Sequence, residues 1–113
     1  MSYILELRQH VGYRPLIRAG STIVSVSAQG EVLLQRRLDT SGWGTLGGGM
    51  ELGESFEDTA RRELLEEAGL SAGKLELLGL CSGEDFKFTY PNGDQIYNAA
   101  ALFFVSSGPE NPQ

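Results

Sequence analysis

Apolar and polar positions change period several times along the chain. Residues 2–10 place Tyr3, Ile4, Leu7 and His10 at helical spacing, which predicts a short N-terminal helix. Over 16–28, apolar and polar residues alternate through Ile23, Ser25, Val26 and Ser27, the pattern of a strand. Gln29-Gly30 then turns the chain, and 31–38 (EVLLQRRL) returns as the second strand of a hairpin, ahead of a turn at Trp43-Gly44. Phe56, Ala60, Leu64 and Ala68 recur every four residues and, with Leu65, form the apolar stripe of an amphipathic helix. Ser55 is its N-cap, Asp58 completes a capping box, Glu57 and Asp58 suit the positive end of the dipole, and Gly69 stops it. Residues 74–80 and 81–90 read as strands and 91–94 (PNGD) as a turn. The unbroken apolar run in 95–105 predicts a strand buried on both faces. These elements fit one α/β domain over 1–113, with helices flanking a sheet.

The predicted helix carries a conflict. Glu63, Glu66 and Glu67 are spaced i, i+3, i+4, on one face of its last two turns, where the negative end of the dipole disfavours anions. Like charges at that spacing cost about 0.2–0.5 kcal/mol. A solvated face with local ion pairs is one reading, and Glu57–Arg61 and Asp58–Arg62 have the right order for it. Glu63 and Glu67 have no cation at i±4, however, and Glu66 has Arg62 only in the weaker orientation. A divalent cation removes the conflict, since Mg²⁺ is held by carboxylates together with substrate phosphates. Gly47-Gly48-Gly49 lets the backbone approach metal or phosphate closely. Arg36 and Arg37 lie at the end of the second predicted strand, and one of them would contact phosphate, because alternate residues face opposite sides.

Residues 48–70 resemble the signature of the Nudix (MutT-like) hydrolases, G-x5-E-x7-R-E-U-x-E-E-x-G-U with U a bulky aliphatic. Gly48, Glu54, Arg62, Glu63, Leu64, Glu66, Glu67, Gly69 and Leu70 fill every specified position. The resemblance implies an α/β/α sandwich around a mixed sheet. It also implies a Mg²⁺-dependent hydrolase, with Mn²⁺ as the alternative ion. Such an enzyme would cleave a nucleoside diphosphate linked to another moiety, an NDP-sugar such as ADP-ribose or a (d)NTP, and release a nucleoside monophosphate. By the same resemblance Glu63, Glu66, Glu67 and Arg62 form the catalytic set. The three glutamates would hold metal, joined by Glu51 and the backbone of Gly48. Glu54 and Arg62 become the pair that shapes the loop, and Gly48, Glu54 and Gly69 its structural residues. Leu46 departs from the pattern, standing where relatives carry proline. Relatives also continue into another strand and a closing helix that brings a late acid to the metals. Here 106–113 reads as a surface loop, so the C-terminal part is expected to be missing, with Glu110 the only acid left for that role. An incomplete sheet predicts a homodimer. The competing reading is a catalytically silent module that keeps the fold and binds a nucleotide.

Composition narrows the picture further. The net charge is −6, and residues 48–70 hold seven acids and two bases, so nearly all the excess lies in the proposed site. No basic run or zinc-finger spacing appears, which argues against direct nucleic-acid binding. The single Cys81 excludes an internal disulfide and suits a small buried hydrophobe in a reducing compartment. With no signal peptide or membrane-length apolar run, the cytoplasm is the expected location and no membrane partner is expected. His10 reads as a helix-terminal or solvent residue. Phe86, Phe88, Tyr90 and Tyr97 read as cross-strand packing, or else as a surface on which a base stacks.

Overall fold

A computed structural model describes residues 3–36 and 43–106. The chain order is α1 (Tyr3–Val11), β1 (Leu16–Val26), β2 (Gln35–Arg36), β3 (Trp43–Gly44), β4 (Leu46–Gly49), α2 (Phe56–Ala68), β5 (Glu76–Cys81), a 3-10 turn (Glu84–Phe86), β6 (Lys87–Thr89) and β7 (Gln95–Ser106). β1 and β7 run parallel through their whole length, from Leu16 opposite Ile96 to Val26 opposite Ser106. β4 adds antiparallel to β1, while β5 and β6 add antiparallel to β7, giving a mixed sheet of order β4-β1-β7-β5.

Because side chains alternate across a strand, one face of β1 and β7 carries Ile23, Ala101, Phe103 and Val105, all buried. Helix α2 packs there through Ala60 and Leu64, and Leu46 of β4 closes the same core. Full burial of residues such as Ile23 and Leu64 contributes roughly 2 kcal/mol each. Leu46, the substitution for proline, is thus absorbed as a core side chain. On the helix the stripe is narrower than expected: Leu65 is 56% and Phe56 38% exposed, and Thr59 is buried instead.

The opposite face corrects the expectation of burial on both sides. There Thr22, Val24, Leu102 and Phe104 are only half-buried, and Ile96 alone among the described β7 residues of that face is fully buried. Helix α1 lies at the Ile96 end. Arg8 anchors it, donating to the Gln95 carbonyl at 3.0 Å and lying 3.7 Å from the Asp94 carboxylate. Helices therefore stand on both faces of an α/β fold, but they share the sheet unevenly.

Two expected strands are broken up. Over the described residues 31–36 the hairpin amounts to one bridge, Val26 to Val32, flanked by bonds from the Ser27 N–H to the Glu31 carbonyl and from the Leu33 N–H to the Ser25 carbonyl. Beyond it the edge of β1 from Gly20 to Ile23 is taken by β4, so the chain peels away and Gln35–Arg36 pairs with Trp43–Gly44. Trp43-Gly44 is therefore strand rather than turn. Residues 81–90 break at Gly83, whose φ of 103° favours glycine, and β6 keeps only three residues. The 91–94 turn forms as expected, with the Gly93 N–H bonded to the Tyr90 carbonyl at 2.9 Å. No described helix is long and apolar enough to cross a membrane. Arg37 and Glu110 lie outside the described residues.

Candidate active site

The start of α2 decides where its charges go. Ser55 Oγ accepts the Asp58 N–H at 3.0 Å, and the Asp58 carboxylate accepts the Ser55 N–H at 3.1 Å. Asp58 is committed to this box, and Arg61 donates to the Ala72 carbonyl, so the expected Glu57–Arg61 and Asp58–Arg62 pairs do not form among the described contacts. Arg62 instead reaches back to the loop. Its Nε lies 2.6 Å from Glu54 Oε2 and its Nη2 2.9 Å from Glu54 Oε1, a bidentate pair. Nη2 also donates to the Gly49 carbonyl at 2.9 Å, and Nη1 to Glu63 at 2.7 Å and Glu66 at 3.4 Å. Every guanidinium nitrogen is engaged inside the protein, which makes Arg62 a brace between β4, the loop and α2.

Glu54 completes that brace by accepting the Glu51 N–H at 3.0 Å and the Thr59 hydroxyl at 2.9 Å. Arg62's hydrogen bonds, against some desolvation, hold its carboxyl down from the usual 4.5 to about 2. The same bonds push the guanidinium further up.

Glu63 turns its carboxylate into the notch left by Gly48, where an added Cβ would lie 2.5 Å from the carboxylate carbon. Burial there pushes the Glu63 carboxyl up, opposed by Arg62 and reinforced by Glu67. Glu67 accepts the Gly47 N–H at 2.9 Å and the Gln35 amide at 3.3 Å, and Glu51 accepts the backbone N–H of Tyr3 at 2.9 Å. Glu51, Glu63 and Glu67 line one cavity of about 650 Å³ with Gly47, Gly48 and Gly49. Glu66 is outside that lining, its side chain 59% exposed. Among the described residues no three acids converge on a single point. Arg62 and the N–H groups of Gly47 and Tyr3 hold the like charges apart. The acidic donors around the cavity are nonetheless hard carboxylate oxygens, a set that suits Mg²⁺ or Mn²⁺. The Gly48 carbonyl oxygen lies against Gly20 of β1.

These contacts separate two glycines by experiment. Gly48→Ala would meet only the movable end of Glu63, so the fold should persist with the melting temperature within about 2 °C while the carboxylate is displaced and activity falls at least tenfold. Gly20→Ala would drive a methyl into the Gly48 backbone and should cost roughly 2–3 kcal/mol. Thermal unfolding and turnover of the two variants check both statements.

Arg36 takes part in β2, and its backbone pairs with Trp43. Two polar cavity residues were not singled out in the sequence: Arg18 of β1 and Gln35. Arg18 reads there as one polar position in an alternating strand, and only the parallel pairing of β1 with β7 brings it to Asn98.

The NUDIX domain profile matches residues 16–113, and the chain belongs to that family. It is 43% identical over 61 residues to an oxidized purine nucleoside triphosphate hydrolase of Danio rerio, covering 51% of this chain and 39% of that one. It is 40% identical over 67 residues to an RNA pyrophosphohydrolase of Escherichia coli, covering 59% and 36%. The chain thus spans about two-fifths of the length of such relatives. Among solved structures it is similar to a MutT NUDIX hydrolase from Burkholderia pseudomallei, with a TM-score of 0.64 at 24% identity over 88% of this chain and 73% of that one. A MutT protein from Bacillus halodurans gives a TM-score of 0.62 at 26% identity over 79% and 56%.

Proposed function

We propose that this chain is a divalent-metal-dependent pyrophosphohydrolase that cleaves the diphosphate bridge of a nucleotide and releases a nucleoside monophosphate. The observation that carries the reading is the gathering of Glu51, Glu63 and Glu67 around the glycine strand, behind a loop braced by Glu54 and Arg62. Glu63, Glu67 and Glu51, with Glu66 released from its 3.4 Å contact, would hold Mg²⁺ or Mn²⁺, which neutralises phosphoryl charge and makes water more acidic. One carboxylate of the set takes the proton of the attacking water as its oxygen bonds to phosphorus and the bridging P–O bond breaks. Arg62 acts by position, fixing Glu63 against Gly48 and Glu54 under the loop. Family membership and relatives named for triphosphate and pyrophosphate hydrolysis support this reading over a silent nucleotide-binding module.

Product analysis tests it. The purified chain, given NDP-sugars, (d)NTPs and a 5′-triphosphorylated RNA, should release monophosphate or pyrophosphate with Mg²⁺ and none with chelator. A folded protein that binds nucleotide with Mg²⁺ yet turns nothing over would favour the silent module.

A further inference from the structure

The cavity is also lined by a cation, which stands across the glycine strand from Glu63. Arg18 lies on β1 with its stem over Gly49, where an added Cβ would come within 3.1 Å of Arg18 Cδ. The side chain therefore crosses the same glycine strand whose far side meets Glu63. It is half-buried and makes no ion pair with a described residue. Its two described partners are neutral acceptors: Nε donates to Asn98 Oδ1 at 3.2 Å, and Nη1 to the Tyr90 hydroxyl at 3.4 Å. Asn98 is itself oriented, since its Nδ2 donates to the Phe86 carbonyl at 3.3 Å and so leaves Oδ1 facing Arg18. One edge of the guanidinium is held in this way. Nη2 makes no hydrogen bond with a described residue, which leaves donors for a ligand.

A half-buried cation with no anion beside it among the described residues is costly, and a guanidinium offers paired donors that match phosphate oxygens better than a single carbonyl. The neighbouring acids do not discharge it. Glu51, Glu63 and Glu67 line the same cavity, but their described bonds go to Tyr3, Arg62, Gly47 and Gln35.

From this we infer that Arg18, oriented by Asn98 and Tyr90, is the residue that receives a phosphoryl group of the substrate on the side of the glycine strand away from Glu63. On the hydrolase reading, one phosphoryl group of the substrate is then served by the acidic residues and another by Arg18. The inference rests on the hydrolase reading for its substrate, but not for the binding step itself. Asn98 and Tyr90 are positioning residues, acting through Arg18.

The test separates binding from turnover. Arg18→Met keeps the stem over Gly49 and removes the charge, and Arg18→Lys keeps the charge without the paired donors. Calorimetry with inorganic pyrophosphate and Mg²⁺ should show at least tenfold weaker binding by Arg18→Met and an intermediate loss for Arg18→Lys. On a substrate that the wild type turns over, KM should rise by a similar factor while kcat stays within about threefold, the signature of lost ground-state binding. Asn98→Ala should move KM the same way by a smaller factor. Unchanged pyrophosphate affinity in Arg18→Met overturns the assignment, even if nucleotide binding falls, because Arg18 would then read the base. Should Arg18→Met fail to fold, pyrophosphate affinity of Arg18→Lys equal to wild type overturns it. Absence of turnover in the wild type overturns the hydrolase reading alone, since the pyrophosphate measurement does not depend on it.

Discussion

Replacing Glu67 with glutamine is expected to lower turnover about a thousandfold while leaving the fold intact. Glutamine matches glutamate in shape, and its amide oxygen can still accept the Gly47 N–H that Glu67 now holds at 2.9 Å. The strut to the glycine strand is therefore kept. What is lost is a negative charge on the face of α2 that lines the cavity, and with it an oxygen able to hold a cation or take a proton. The change relieves repulsion as well. Helix α2 has no basic residue in its last turn, so a carboxylate there opposes the dipole and its neighbours Glu63 and Glu66. Stability should consequently stay level or rise by a few tenths of a kcal/mol. Steady-state kinetics with Mg²⁺ and a thermal melt on the same preparation check both halves. A variant that keeps wild-type kcat would move the chemistry away from Glu67.

Arg62→Ala should behave in the opposite sense, as a stability lesion first. The guanidinium joins Glu54, Glu63, Glu66 and the Gly49 carbonyl, and removing it leaves three carboxylates facing one another without a cation. The Glu54 and Arg62 side chains are 18% and 26% exposed. That is less than full burial, so about 2–3 kcal/mol is expected rather than the larger loss of a fully buried pair. For a domain of this size it corresponds to roughly 10 °C in melting temperature.

The effect should depend on pH, with a definite sign. Glu54 titrates at about 2 in the folded chain against 4.5 in the reference state, so the unfolded chain takes up a proton first as pH falls. The stabilisation is fully present above about 5 and is lost as pH drops towards 2. The gap between wild type and Arg62→Ala should accordingly shrink on going from pH 7 to pH 3, measured by urea or thermal unfolding at each pH. A gap of constant size would mean that the arginine stabilises by packing of its stem and not through Glu54.

Some of this was determined by sequence alone, because its causes are local. The capping box of Ser55 and Asp58 and the stop at Gly69 depend on residues within one turn of each other, and both form as the spacing demands. The long alternating strand over 16–28 and the apolar strand over 95–105 also appear close to their expected bounds, since each has a side-chain period of its own. The grouping of Glu63 and Glu67 follows from helix geometry in the same way.

Tertiary structure decided the rest, wherever two segments compete for one partner. The 31–38 segment has strand character, yet β4 occupies the edge of β1 that it needs, so the hairpin ends after one bridge. Arg62 had Asp58 available at i−4. The N-terminal cap claims Asp58, and the loop carboxylate Glu54 offers two oxygens in better geometry. Glu66 shares the helix face with Glu63, but β4 passes over Glu63 and leaves Glu66 in solvent. Arg18 becomes a cavity cation only because β7 lies parallel to β1 and sets Asn98 beside it, 80 residues away in sequence. Local periodicity fixes what each segment can become, and competition for strand edges and hydrogen-bond partners far apart in the chain chooses among those possibilities.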